Sequence, residues 1–424
     1  MPFTASSVQA AYQPGEEISN SDLYARLEQM VGVGVSAWRD KSEVGKARER
    51  CNLLTRKARW HQQTLRSLGL IERVPGKRGV WRLATGKSEL THAAPGVHLV
   101  AYSTDLGLAL WGCCSSVFPR IDEPIALVLT SPPYPLRKAR AYGGPGESSY
   151  TDFICSALEP LVKNLLPGGS IALNVSNDCF VTGSPARSTY IEKLTLALEE
   201  RLSLSLMDRI VWQNPSKPPG PMQWASKSRQ QLCVGYEPVL WFTNDPKACF
   251  ADNRRVLQPH SDRQKRLIAQ GGESRSADYG DGAYKLRPGS YGRPTEGRIP
   301  RNVLQIGHAS QEVVRARRVA QEAGLPTHGA MMPLRLAMFL IQFLTQPGQL
   351  VADLFAGWNT TGLAAELTER RWMTTERVAE YAAGSGSRFE SAVGFHTSFD
   401  LVAGKYCAPP NPDTISMLNQ QTTF

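Results

Sequence analysis

From about residue 98 onward, short apolar runs alternate with stretches in which apolar residues recur every three or four positions. "HLVAYSTD" predicts a strand ending at Asp105, and "IALVLT" a buried strand with no polar break. "PGGSIALNVSND", "LMDRIVWQN", "YEPVLWFT", "QLVADLF" and "WMTTE" predict further strands. Between them, "TDFICSALEPLVKNLL", "TYIEKLTLALEERL", "MMPLRLAMFLIQFL" and "LAAELTERR" predict amphipathic helices, and "LGLALWGCC" a short one. Strands alternating with helices imply an α/β domain built on a mostly parallel, doubly wound sheet.

The chain upstream follows a different pattern. In "SDLYARLEQMV", Leu23, Leu27 and Met30 share one helical face. "TRKARWHQQTLRSLGL" predicts a basic helix with Trp60, Leu65 and Leu68 inward, Arg56, Lys57, Arg59 and Arg66 outward, and Gly69 as its C-cap. "LIERVPGKRGVWRLA" predicts two short strands around a Pro-Gly-Lys-Arg-Gly turn. Helices, a basic helix and a basic hairpin in that order make a winged helix-turn-helix. It resembles the N-terminal DNA-binding modules of some bacterial restriction and modification proteins. That resemblance places Arg56, Lys57 and Arg59 toward a major groove and Lys77 and Arg78 on phosphate. A winged helix used for dimer contacts is the alternative.

The alternation also stops between about residues 244 and 301, where the chain is polar and rich in Gly and Arg. So long an insert without a core is characteristic of functional or disordered segments. Its Arg254, Arg255, Arg263, Lys265, Arg287 and Arg293 suit contact with nucleic acid. The expected organisation is an N-terminal arm (1–19), a winged helix (20–85), a linker (86–97), a catalytic part (98–243), a target-recognition insert (244–305), a cofactor-binding part (306–383) and a tail (384–424).

Composition narrows the partners. The formal net charge of +10 fits a nucleic-acid partner, because phosphate contacts require Lys and Arg. The eight cysteines contain no C-x-x-C pair, so no zinc finger or thioredoxin-type site is supported and no metal is expected. Free thiols in a reducing cytoplasm are the simplest reading. The N-terminus lacks the basic and apolar regions of a signal peptide, and no stretch approaches a membrane span.

Two local motifs carry the candidate chemistry. The run "IALVLT" stops at Ser131-Pro132-Pro133-Tyr134. The prolines fix their own φ and donate no backbone hydrogen bond, so the strand ends in a rigid elbow with a hydroxyl at one end and an aromatic ring at the other. The second motif, "VADLFAGWNTTGLAAE", reads as strand, turn and helix. Gly357 allows a ligand to approach the backbone closely, and Asn359, Thr360 and Thr361 can cap the helix and present polar groups. Glu376 ends the next strand, a common place for an acid that holds ribose hydroxyls.

TSPPY together with DLFAGWNTTG resembles the signature motifs of the bacterial DNA amino-methyltransferases, with the catalytic motif first and the cofactor motif second, the order of the family's β group. The resemblance covers roughly residues 97 to 383. It implies a Rossmann-like methyltransferase fold, S-adenosyl-L-methionine as cofactor, and double-stranded DNA as substrate. The candidate cofactor residues are then Asp105, Thr130, Asp353, Phe355, Gly357, Asn359, Thr360, Thr361 and Glu376. Relatives of this group are often dimers, and a cognate restriction endonuclease would be a natural partner. Two departures bear on cofactor contact. Trp358 replaces a small residue, and "HGAMMP" stands where the family has a His-Pro start, with His328 and Pro333 matching only loosely.

The resemblance also implies a mechanism. The target is an exocyclic base amine, reached by flipping the nucleotide out of the duplex. Ser131 Oγ and the Pro132 carbonyl would accept the two amine protons, Pro132 and Pro133 would hold these acceptors in place, and Tyr134 would stack on the base. Ser in the first motif position, and Asn in NTTG, favour cytosine N4 over adenine N6. A catalytically silent DNA-binding regulator and an RNA base methyltransferase are the competing functions.

Overall fold

The computed structural model describes residues 5–398 apart from 14–15, 33–37, 39, 45–48, 68–70, 75, 84–89, 91, 94–95, 97, 137–142, 309 and 327–330. Leu68, the Gly69 cap, His328 and most of the 384–424 tail therefore lie outside the described residues. The chain divides into two compact units, Met1–Leu90 and Thr91–Phe424.

In the first unit, α1 (Ala5–Ala10) and β1 (Glu17–Ser19) precede α2 (Asn20–Val31), and β2 (Ser42–Val44) and β3 (Glu49–Cys51) form a two-stranded ladder. Then come α3 (Leu53–Ser67), β4 (Ile71–Arg73) and β5 (Val80–Leu83). Ser19 caps α2 and Asp22 closes a capping box, while Gly32 ends the helix at φ 64°. The basic hairpin forms as expected, and β5 sits between β1 and β4 in a three-stranded antiparallel sheet. The inward assignment of Trp60 fails: it is 64% exposed, and Met30, on the face of Leu23 and Leu27, is 51% exposed, while Leu23, Leu27, Ala58 and Leu65 fill the interior. Residues 5–12 are not a free arm either, since Val8, Ala11 and Tyr12 are part of the same core.

The second unit opens with β6 (His98–Ser103) and β7 (Gly107–Gly112), followed by α4 (Cys114–Val117), β8 (Ile125–Thr130), α5 (Glu147–Lys163) and β9 (Leu165–Asn174). Next are α6 (Tyr190–Leu202), β10 (Ser205–Gln213) and β11 (Tyr236–Thr243), then α7 (Asp262–Ala269), β12 (Ala277–Tyr279), β13 (Tyr284–Leu286) and β14 (Val303–Gln305). The chain continues through α8 (Gln311–Glu322), α9 (Leu334–Leu344), β15 (Leu350–Asp353), α10 (Thr360–Leu367), β16 (Arg371–Glu376), α11 (Ala379–Gly386) and β17 (His396–Thr397).

One sheet runs β14-β10-β11-β9-β8-β15-β16-β7-β6-β17, and its central strands β9-β8-β15-β16-β7 are all parallel. Both faces are covered, so alternate residues of a strand enter different cores. Leu127, Leu129, Ala172 and Val351 pack with Leu336 and Leu340 of α9 and Ala364 of α10. Val128, Ile171, Leu173 and Ala352 pack with Leu158 of α5 and Leu194 and Leu198 of α6. This two-sided burial is why β8 reads as an unbroken apolar run: all six of its residues are buried.

The expected helix at "LGLALWGCC" is instead strand β7, paired in parallel with β16. The segment is locally ambiguous, and the neighbouring strand decides it. Part of the expected linker and tail also belongs to this unit: Ala93 and Phe389 are in its core, α11 spans the expected 383/384 boundary, and β17 pairs with β6. Among the described residues no helix is long and apolar enough to cross a membrane. Leu340 is fully buried beneath the parallel strands. Leu340→Ala is expected to cost about 2–5 kcal/mol of stability in urea unfolding; a loss below about 1 kcal/mol would contradict the packing described.

Candidate active site

The carboxyl ends of β8, β15, β16 and β7 meet at one cavity of about 380 Å3. Such an edge, where loops leave parallel strands, is the usual binding place in open α/β sheets. Ser131, Pro132, Pro133 and Tyr134 line it from β8, and Asp353, Phe355, Gly357, Trp358, Thr360 and Thr361 from β15 and the start of α10. Glu376, Arg377 and Val378 line it from β16. The two motifs are far apart in sequence and adjacent in space, because β15 inserts beside β8.

Asp353 joins them. Its Oδ1 accepts from Thr130 Oγ1 at 2.5 Å and from the Phe355 amide at 3.0 Å, and its Oδ2 accepts from Thr361 Oγ1 at 2.6 Å. Burial pushes its carboxyl above the usual range, and these hydrogen bonds oppose the shift. Thr130 is itself buried and does not line the cavity, so it reaches that space through Asp353.

Glu376 closes the opposite wall. Its Oε2 accepts from the Gly357 amide and its Oε1 from the Val378 amide, both at 2.7 Å. Gly357 takes φ 55°, a conformation that favours glycine. Burial raises the Glu376 carboxyl to about 7, against the hydrogen bonds from the backbone. On the same rim, hydrogen bonding with Cys114 holds the Cys113 thiol down at about 5 despite partial burial.

Besides Thr130, two candidate cofactor residues do not line the cavity. Asn359 starts α10 in the left-handed region at φ 49°, with Oδ1 accepting from the Gly362 amide at 3.0 Å and Nδ2 donating to the Tyr102 hydroxyl at 2.7 Å. Its amide thus faces the core, and the site relies on Gly362 because a Cβ there would lie 2.4 Å from Asn359 Oδ1. Asp105 sits in the turn between β6 and β7, at the far end of β7 from Gly112, which lines the cavity. The error follows from reading β7 as a helix, which hid the strand's direction. Trp358 lines the cavity but is itself buried, 2% exposed, with its ring packed toward Gly384, where a Cβ would lie only 3.0 Å from its Cζ2.

The sequence reading missed Cys113, Cys114, Phe153, Met331, Met332 and Tyr381 as lining residues. It also missed a polar cluster behind the elbow. The Tyr134 hydroxyl lies 2.9 Å from Ser131 Oγ, 3.3 Å from Asn174 Oδ1 and 3.4 Å from Glu237 Oε2. Glu237 Oε1 pairs with Lys217 Nζ at 3.0 Å. Only the three-dimensional pairing of β9 with β11 brings these residues together.

Most candidate DNA residues are at the surface. Arg56, Arg59, Lys77 and Arg78 are exposed and Lys57 half-buried in the first unit, where Lys77 pairs with Glu17 at 2.7 Å. Arg254, Arg263, Lys265, Arg287 and Arg293 are exposed in the second. Arg255 departs from the expectation. Its guanidinium donates to the carbonyls of Thr345 and Phe250, which ties the insert to the sheet domain and occupies the group that phosphate would need.

The Glu376 geometry has a stability consequence. The folded chain holds that proton up to about 7 and the unfolded chain to its ordinary 4.5. The stabilisation is complete below 4.5 and is lost as pH rises through about 7. Relative to Glu376→Gln, the wild type is expected to lose roughly 3 kcal/mol over that window in urea unfolding. Parallel pH profiles for the two proteins would contradict it.

Comparison with known proteins agrees with the geometry. A family described as DNA methylase matches residues 125–385. The type II methyltransferase M.PvuII of Proteus hauseri is 35% identical over 276 residues, 63% of this chain and 79% of the relative. The type II methyltransferase M.BglII of Bacillus subtilis is 25% identical over 261 residues, 61% of this chain and 62% of the relative. A solved PvuII DNA methyltransferase, described as cytosine-N4-specific, superposes with a TM-score of 0.53 at 29% identity, covering 68% of this chain and 88% of that one. Because the matched segment spans most of the sheet and both motifs that meet at its cavity, the chain belongs to the DNA methylase family, the S-adenosyl-L-methionine-dependent methyltransferases of DNA.

Proposed function

We propose that the chain methylates cytosine N4 at a specific sequence in double-stranded DNA. The observation that carries this reading is the single cavity shared by the Ser-Pro-Pro-Tyr elbow and the turn from Asp353 to Thr361. The residues present fit the cofactor: a carboxylate, Glu376, stands at a strand end for ribose hydroxyls, Gly357 brings backbone close, and Phe355 and Val378 offer apolar walls. Bound there, S-adenosyl-L-methionine supplies an electrophilic methyl group on its sulfonium.

The elbow does the rest by positioning. Ser131 Oγ and the Pro132 carbonyl accept the amine protons of a flipped base and turn the nitrogen lone pair toward the cofactor side of the cavity. Tyr134 lies over the base, with its ring held from behind through its hydroxyl. Serine at the first position supports cytosine as the base, as does the likeness to a methyltransferase described as cytosine-N4-specific.

DNA is bound by basic surfaces on each unit. In the first, a winged helix presents α3 to the duplex. The exposed Trp60 lies one turn from Arg56 on that helix, which suits contact with a groove wall, and Lys77 and Arg78 of the hairpin take phosphate. In the second, Arg254, Arg263, Lys265, Arg287 and Arg293 of the 244–305 insert take part in target recognition. The relatives' description as type II methyltransferases supports a cytoplasmic enzyme with a cognate endonuclease, and the β-group motif order supports a homodimer.

Expression in a host free of DNA methylation, followed by nuclease digestion and mass spectrometry of the nucleosides, tests the reading. N4-methylcytosine is the expected product. N6-methyladenine would overturn the base assignment, and absence of both from a folded, cofactor-binding chain would overturn the function.

A further inference from the structure

Ser131 can hold an amine proton only if its own proton points elsewhere. The cluster behind the elbow supplies that polarity. Val239 of β11 pairs directly with Asn174 of β9, and Glu237 lies two residues before Val239 on the same strand face. The sheet therefore delivers Asn174 and Glu237 side by side, under the loop that carries Tyr134. Glu237 is an acceptor-only group when ionised, so the Tyr134 hydroxyl 3.4 Å away directs its proton to it. Tyr134 oxygen and Asn174 Oδ1 are then both acceptors for the Ser131 proton, at 2.9 and 3.4 Å. Every hydroxyl proton points away from the cavity, and the Ser131 lone pairs face into it.

We propose that Glu237, held by Lys217, is the positioning residue of the elbow and the acceptor of the proton that methylation releases. This rests on the assignment of Ser131 and Tyr134 to the target base. The nitrogen lone pair forms the new carbon–nitrogen bond, and the electron pair of the old carbon–sulfur bond stays on sulfur. The methylated nitrogen is left cationic and strongly acidic. It passes one proton to Ser131 Oγ as Ser131 passes its own to Tyr134 and Tyr134 passes its own to Glu237. Glu237 ends as a neutral acid and returns the proton to solvent, to which its side chain is 17% open. A carboxylate can take a proton from so acidic a donor. Lys217 Nζ lies 3.0 Å from the other oxygen of Glu237. The other titratable or charged groups bearing on this site include Asp178, after β9, Arg187 beside it, Tyr190 at the start of α6, and His308, after β14.

The test is single-turnover methyl transfer to duplex DNA with the full chain, across pH, for wild type, Glu237→Gln, Lys217→Met/Glu237→Gln and Ser131→Ala, with S-adenosyl-L-methionine binding measured in parallel. Glu237→Gln should bind the cofactor as wild type does and transfer at least about a hundredfold more slowly. The wild-type rate should rise with pH to a plateau, a dependence absent from the variant. The double variant removes the unpaired Lys217 charge, so a merely structural ion pair predicts its recovery, whereas the relay predicts that it stays slow. Recovery in the double variant, or wild-type rates and pH dependence in Glu237→Gln, would overturn the proposal while Ser131→Ala remained inactive. An active Ser131→Ala enzyme would instead overturn the reading of the elbow itself.

Discussion

The buried carboxylate of Asp353 is the constraint on which the site depends. A carboxylate taken out of water costs several kcal/mol unless its oxygens are hydrogen-bonded. Here Thr130, Thr361 and the Phe355 amide supply the donors. Each comes from a different place: the last residue of β8, the first turn of α10 and the turn after β15. Satisfying one acid therefore fixes the start of the elbow, the turn and the helix in a common frame. The parallel pairing of β8 with β15 brings the strands together, and Asp353 sets how their ends meet.

The cavity that results is asymmetric. On the β16 side, Glu376 and the Gly357 amide form a polar wall with a carboxyl whose proton is held up to about 7. On the β8 side, a rigid elbow presents a hydroxyl backed by acceptors and an ion pair. The two carboxylates, Glu376 and Glu237, are carried by strands on opposite sides of β8, so the proposed cofactor and base roles fall to separate groups. The permuted order of the motifs has no structural cost, since both belong to loops leaving the same edge of one sheet.

Much of this was legible in the sequence because parallel strands buried on both faces leave a distinctive trace. The runs containing Ile125–Thr130 and Leu350–Asp353 identified themselves, and so did the elbow and glycine turn that follow them. Legibility failed where a neighbour decides. Gly107–Gly112 has no β-branched residue and reads as a helix, but pairing with β16 makes it a strand, and Gly107 is needed because a Cβ would lie 2.2 Å from the Trp372 carbonyl oxygen. Helix α11 is buried all round and built largely of small residues, so it shows no amphipathic period. The direction of Asn359, and the meeting of Asn174, Glu237 and Tyr134, depend on tertiary pairing that no local pattern encodes.

The most direct test of this account is calorimetric S-adenosyl-L-methionine binding to Thr130→Val. The substitution keeps the side chain's shape, removes one donor to Asp353, and alters no residue that lines the cavity. Leaving that oxygen short of a partner is worth about 1–3 kcal/mol, so affinity should fall roughly tenfold or more in a protein that still folds. Wild-type affinity in Thr130→Val would contradict the claim that the Asp353 contacts organise the site.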